Sequence, residues 1–129
     1  MRVGLGYDAH KLIPGKGMVL GGIFIESSFS IEAHSDGDVI IHSLIDALLG
    51  ACRLKDIGTL FSNKNKKYKN IRSPKMLNKV LRLINQKGYS INNIDINVIT
   101  ERPRIDKYRN KIINSISKLC NIDKNKINI

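Results

Sequence analysis

Three histidines occur among 129 residues, His10, His34 and His42, and each stands beside carboxylate or hydroxyl side chains. Asp8 and His10 are two apart at the end of MRVGLGYDAH. In an extended strand, residues i and i+2 point to the same side, so this carboxylate and imidazole can grip one object from one direction. His34 and His42 bracket HSDGDVIIH, which runs straight into the apolar SLIDALLGA. The pattern predicts a helix, and His42 falls inside it. One carboxylate and two imidazoles make a three-ligand set, and three protein ligands with an open fourth position suit a reactive Zn²⁺ rather than a closed structural one. Spacing alone does not bring them together. Asp8 could simply end a strand, His10 could occupy a surface turn, and His42 could be a satisfied core histidine.

Asp38 precedes His42 by four residues and Asp46 follows it by four, so all three lie near one helix face. A carboxylate there can accept the second ring N–H of a metal-bound imidazole and fix its tautomer. An unpartnered buried Asp46 would be costly, which makes His42 or His10 its expected partner; a place on the helix surface is the alternative. His34 and Ser35 stand at the N-terminal end of the same helix, where free N–H groups and the helix dipole favour a phosphate. Ser35 also reads as an ordinary N-cap, with Asp38 three residues on as its capping-box partner.

The elements that must position these groups follow from hydrophobic periodicity. Met1–Tyr7 alternates loosely and predicts a strand, edge or central. Met18–Ile25, two short apolar runs around Gly21-Gly22, predicts a hairpin or bulged strand. The first helix runs from near Gly37 to about Leu54, apolar over most of its girth and therefore deeply buried. Residues 62–73, SNKNKKYKNIRS, form a polar, aperiodic surface loop. Ser73 and Pro74 read as N-cap and first residue of a second helix, whose stripe is Met76, Leu77, Val80, Leu81 and Ile84. Gly88 caps its end. Ile94, Ile96 and Val98 alternate with polar residues as a half-buried strand. Tyr108, Ile112, Ile113, Ile116, Leu119 and Cys120 line a third helix, and NKINI begins a last strand. The order predicts a single α/β (α+β) domain over residues 1–129, with helices packed on a mixed sheet.

Composition narrows the function classes. No apolar run approaches the ~20 residues that span a bilayer, and the N-terminus has neither signal nor transit character, so a mature cytoplasmic start is expected. Cys52 and Cys120 lack C-x-x-C spacing and read as buried reduced thiols. Residues 1–54 carry four Lys/Arg against six Asp/Glu, a net of −2, whereas residues 55–129 carry eighteen against five, a net of +13. A basic half suggests an anionic partner. That half is equally rich in Asn and Ile, the mark of A/T-rich codons, and its few aromatic residues supply poor stacking platforms for single-stranded nucleic acid. A basic nucleic-acid-binding module is the reading of a different class.

The chain resembles the 2-C-methyl-D-erythritol 2,4-cyclodiphosphate synthases of the non-mevalonate isoprenoid pathway. The resemblance rests on MRVGLGYDAHKL, LGG at 20–22, AHSDGDVIIHSLIDALLGA at 33–51, KDIGTLF at 55–61 and KGYSINNIDINVI at 87–99, and it runs from Met1 to Ile129. It implies a homotrimer of α/β subunits with active sites shared between neighbours. It implies a phosphorus–oxygen lyase in which the 2-phosphate of a CDP-linked methylerythritol attacks its own β-phosphate and CMP departs. Asp8, His10 and His42 would be the Zn²⁺ ligands, with Mg²⁺ or Mn²⁺ entering with the substrate. His34 would stabilise the transition state. Asp8, His10, His34 and Ser35 would contact substrate, as would Asp56, Ile57 and Gly58. Phe61, Ser62, Asn63, Lys64 and Asn65 would approach its methylerythritol part. Thr100, Glu101, Arg102, Pro103, Arg104, Ile105 and Asp106 would form the cytidine pocket, largely through backbone groups.

Two departures from the family pattern stand out. Asn63 and Asn65 occupy positions where the family carries acids. The family also continues beyond the position of Ile129 with the rest of a last strand, a Thr-Thr-x-Glu segment that holds the second metal, and a final helix. The zinc half of the site is thus expected here without the Mg²⁺-binding carboxylate, and a zinc-binding, catalytically impaired remnant of the family is the alternative expectation.

Overall fold

The computed structural model describes residues 1–62, 64–68 and 70–129. Its elements are β1 (Leu12–Pro14), β2 (Gly17–Leu20), β3 (Ile23–Glu26), β4 (Phe29–Ile31), α1 (Val39–Ala51), α2 (Ile57–Leu60), α3 (Ser73–Gln86), β5 (Ile94–Asp95), α4 (Arg109–Cys120) and β6 (Ile127–Asn128). Short 3₁₀ turns occupy Lys66–Tyr68, Asp106–Tyr108 and Lys124–Lys126.

The fold mixes helices with small ladders rather than one continuous mixed sheet. β1 pairs with β4 and β2 with β3, both antiparallel, while β5 pairs with β6 in parallel. The expected hairpin is present, with Leu20 opposite Ile23. Gly21 and Gly22 turn it at φ +60° and +80°, the left-handed pair that a two-residue hairpin with matching twist requires. Met1–Tyr7 forms no ladder among the described residues. Its odd residues Val3, Leu5 and Tyr7 face outward, and its glycines lie against α1, where a Cβ on Gly4 would collide with the Ala47 carbonyl and one on Gly6 with that of Ser43. Close approach to a helix backbone has replaced pairing with a neighbour. A cleft of about 1160 Å³ separates this segment from residues 91–101. Residues 94–98 keep the alternating burial that their pattern predicts, but only Ile94–Asp95 is a paired strand, extended by Ile96 N–H donating to the Asn128 carbonyl at 3.0 Å.

One hydrophobic cluster joins the elements. Ile40, Ile41, Leu44, Ile45 and Leu49 of α1 meet Met76, Leu77, Val80 and Ile84 of α3, Ile112 and Ile116 of α4, and Leu20 and Ile25 of the hairpin. The apolar girth of α1 follows from this, since it is covered from several sides. α3 ends as its sequence predicts, with Gly88 at φ +77° after Lys87 and the Tyr89 N–H returning to the Ile84 carbonyl at 3.0 Å.

Both expected helix starts shift, for the same physical reason: the capping side chain is already committed. Asp38, not Ser35, caps α1. Its Oδ1 accepts from the Ile41 N–H at 3.1 Å and from the Gly21 N–H at 2.8 Å, and its Oδ2 accepts from the Gly22 N–H at 2.6 Å. Ser35 accepts instead from the Gly37 N–H at 3.3 Å, a local turn. Ser73 is the first residue of α3 rather than its cap, which falls at Arg72. Among the described residues no helix is long and apolar enough to cross a membrane.

Candidate metal centre

The segment leading to β1 delivers Asp8 and His10, and the second turn of α1 delivers His42. Gly4 and Gly6 permit the close approach that brings them together. The Asp8 Oδ2 lies 3.1 Å from His42 Nδ1 and 3.3 Å from His10 Nε2. The two rings meet edge to face with centroids 5.9 Å apart. One potential ligand atom from each of Asp8, His10 and His42 falls within 4.8 Å of the other two.

The chemistry of this donor set fits a cation. Among the described residues, His10 Nε2 is buried and has no hydrogen-bond partner. A buried polar atom without a partner is costly, and an electrophile between the three groups would satisfy it. Burial alone would raise the Asp8 carboxyl. The hydrogen bond from His42, the charges of His10 and His42 and the Ala9 N–H outweigh burial and hold it below 3.8, so Asp8 is a carboxylate at neutral pH. The side chains of Asp8 and His10 remain 24 % and 25 % exposed, enough to leave one side open to a ligand. Asp8 and His10 also line the cleft between the N-terminal segment and residues 91–101, whose far end reaches Thr100 and Glu101.

Neither carboxylate expected to orient an imidazole does so. Asp38 is spent on the three N–H groups of the hairpin and helix start, and Asp46 Oδ1 accepts from the Ile57 N–H at 2.8 Å, tying α1 to α2. The partner of His42 is Ser73, whose Oγ lies 2.9 Å from Nε2. Ser73 is in turn held by Asp36, which takes the hydroxyl on Oδ1 and the Ser73 N–H on Oδ2 at 2.8 Å. Both residues stood in stretches read as capping signals, and 31 positions separate Ser73 from His42. The fully buried Ser73 hydroxyl carries no local signal of its role.

His34 is exposed and Ser35 half-buried on the turn before α1, outside the three-residue cluster. Asp56 caps α2 through the Thr59 N–H at 2.7 Å, with Ile57 half-buried and Gly58 exposed beside it. Phe61 is buried, its ring edge-on to Tyr68 with Lys79 above it. Ser62 takes the Lys64 N–H, and Asn65 takes the Lys67 N–H. Asn63 lies outside the described residues. In the 100–106 stretch, Thr100 Oγ1 donates to the Arg102 carbonyl at 2.7 Å. Pro103 is buried and Ile105 half-buried, while Glu101, Arg102, Arg104 and Asp106 are exposed.

Comparison with known proteins follows the same lines. The model of the YgbB family matches residues 1–129. A "2-C-methyl-D-erythritol 2,4-cyclodiphosphate synthase" of Clostridium acetobutylicum is 46 % identical over 129 residues, covering all of this chain and 83 % of that protein. A "Bifunctional enzyme IspD/IspF" of Pelagibacter ubique is 50 % identical over the whole chain, which spans 35 % of that protein. Among solved structures, a bifunctional IspDF from Campylobacter jejuni superposes with TM-score 0.92 at 34 % identity, covering 98 % of this chain and 34 % of that one. A Plasmodium falciparum IspF in complex with CDP superposes with TM-score 0.84 at 43 % identity, over 98 % of this chain and 78 % of that one.

Proposed function

The chain belongs to the YgbB family, and from that membership we propose that it is a 2-C-methyl-D-erythritol 2,4-cyclodiphosphate synthase. It closes 4-diphosphocytidyl-2-C-methyl-D-erythritol 2-phosphate into the 2,4-cyclodiphosphate and releases CMP, a phosphorus–oxygen lyase reaction of isoprenoid biosynthesis in the cytoplasm. The observation that carries this reading is the convergence of Asp8, His10 and His42 around an unpartnered imidazole nitrogen.

Those three residues would hold a divalent ion, and a set of one carboxylate and two imidazoles suits Zn²⁺. When bound, the ion supplies positive charge that lets one phosphate approach another. The nucleophile is the substrate's own 2-phosphate, already ionised at neutral pH, so no side-chain base has to generate it. The protein's task is positioning the two ends of one molecule. Asp8, ionised under these conditions, contributes charge, and His10 and His42 contribute neutral donor nitrogens. His34, exposed on the turn before α1, meets the substrate with Ser35 and stabilises developing charge. Asp56, Ile57 and Gly58 contact the substrate, residues 61–65 line its methylerythritol end, and residues 100–106 receive cytidine through backbone groups. A second divalent ion, Mg²⁺ or Mn²⁺, would accompany the substrate and add positive charge at its phosphates. The outward apolar face of Val3, Leu5, Tyr7 and Ile99, each at least 80 % exposed, supports association into a homotrimer with shared sites, since exposed apolar faces of this kind mark interfaces.

The test is incubation with the CDP-linked substrate, following CMP chromatographically and the cyclic diphosphate by ³¹P NMR, with metal content measured in parallel. Turnover that chelation abolishes and His42→Ala removes, together with the bound metal, is the expected result. Absence of CMP formation at full metal loading would overturn the activity. Unchanged turnover and metal content in His42→Ala would overturn the site.

A further inference from the structure

We propose that Ser73 and Asp36 form a relay that receives the Nε2 proton of His42 when a cation occupies Nδ1, making Ser73 a positioning residue of the metal centre. The inference rests on the reading of Asp8, His10 and His42 as a metal site, but its core is a count of hydrogens. Ser73 Oγ has one proton to give and lone pairs to receive. It contacts two groups, Asp36 Oδ1 and His42 Nε2. Asp36 acts as an acceptor on both oxygens. Its Oδ2 takes the Ser73 N–H at 2.8 Å, and its Oδ1 lies 3.4 Å from the Asp38 N–H. A carboxylate so placed offers no proton, so the Ser73 hydroxyl must donate to it. The Ser73 oxygen can then only accept from His42, which requires the His42 proton to sit on Nε2. Nδ1 then turns a lone pair toward the Asp8 carboxylate at 3.1 Å, an acceptor pair that only a cation between them reconciles; without a cation, Nδ1–H donating to Asp8 is the competing arrangement.

With a cation on Nδ1 every contact of the relay is satisfied, and the opposite arrangement is not. Were Nδ1 to carry the proton, Nε2 would be an acceptor and would compete with Asp36 for the single hydroxyl proton. One contact to the fully buried Ser73 would then be acceptor against acceptor, a costly state in a buried setting. The relay also locks the ring plane. His42 is anchored on α1 by its backbone and on the first residue of α3 by Ser73, so the metal-facing nitrogen is held by two helices rather than by a free rotor. Partners of this kind in other metal sites change affinity by roughly 10–100-fold when removed.

The experiment needs no substrate. In the Zn²⁺-loaded chain, two-dimensional ¹H–¹⁵N spectra of the imidazoles report which nitrogen carries the proton. His42 is expected to carry its proton on Nε2 with Nδ1 toward the ion, and the reverse assignment overturns the relay. Zn²⁺ titration by calorimetry then reads affinity. Ser73→Ala is expected to weaken binding by roughly 10–100-fold, with Ser73→Thr, which keeps the hydroxyl, restoring most of it. Asp36→Asn is the sharper variant. Its amide can donate to Ser73, turn the hydroxyl toward His42 and drive the ring to the Nδ1–H form, so affinity falls although Ser73 is intact. Folded Ser73→Ala with unchanged tautomer and Zn²⁺ affinity within a factor of three overturns the proposal. If the unsubstituted chain itself binds no Zn²⁺, the metal reading fails and the relay, which rests on it, falls with it; Zn²⁺ binding that Ser73→Ala leaves unchanged overturns the relay alone.

Discussion

Replacing Asp38 by Asn tests how the first helix is anchored, and its cost can be worked from three contacts. The carboxyl is fully buried and receives the N–H groups of Gly21 at 2.8 Å, Gly22 at 2.6 Å and Ile41 at 3.1 Å. The first and third share Oδ1, so an asparagine oxygen in that position keeps both. The amide nitrogen then faces the Gly22 N–H, donor against donor. A hydrogen bond to a charged group contributes about 1.5–3 kcal/mol, and an orphaned donor costs a further 1–3. Relief from burying a charge offsets part of this. The expected loss for Asp38→Asn is therefore about 2–3 kcal/mol, and for Asp38→Ala, which leaves all three donors unpaired, about 3–5 kcal/mol. Equilibrium urea unfolding of the metal-free chain measures both. The pH dependence has a definite sign. Burial raises the Asp38 carboxyl above 3.8 despite the three N–H bonds, so folding takes up a proton between 3.8 and the raised value. The contribution of Asp38 then declines as pH rises through that window. The gap between the unsubstituted chain and Asp38→Asn is accordingly wider below the window than above it, because a protonated carboxyl still has a hydroxyl oxygen that accepts and an amide nitrogen does not. An Asn variant within 0.5 kcal/mol of the parent, or one more damaging than Ala, would refute the reasoning.

Three further outcomes are expected. Burial pushes the Cys120 thiol from 9.0 up to about 11, so stability falls as pH rises between these values, by up to about 2–3 kcal/mol, and Cys120→Ala flattens that slope in unfolding titrations. Gly21→Ala meets both a φ of +60° and the Ile112 Cγ2 at 2.5 Å from the new Cβ; a loss of about 2–4 kcal/mol in the same assay is expected, and a neutral result would show that the hairpin turn can re-form. Leu5→Glu places a charge on the outward apolar face and should convert a trimer to monomer in light scattering, while a parent chain that is already monomeric would remove the basis for the trimer.

Much of the site was legible because its logic is local. The two-residue spacing of Asp8 and His10 and the helical position of His42 follow from backbone geometry and apolar periodicity, and both survive in the structure. The hairpin at Gly21-Gly22 and the Gly88 helix end were legible for the same reason, since a left-handed backbone nearly demands glycine. The period-2 burial of residues 94–98 was also readable, but which strand they pair with was not, because a ladder depends on a partner distant in sequence. The same limit governs the carboxylates. Asp36, Asp38 and Asp46 lie within eleven residues of one another and are equivalent by type. Tertiary contacts alone give Asp38 to the hairpin N–H groups, Asp46 to α2, and Asp36 to Ser73 and through it to His42. A hydrogen-bonding side chain is spent on whichever donor packing brings within reach. Sequence by itself determined the set of groups able to bind a metal; only the packing of α1 on α3 decided which polar residue would hold the imidazole in place.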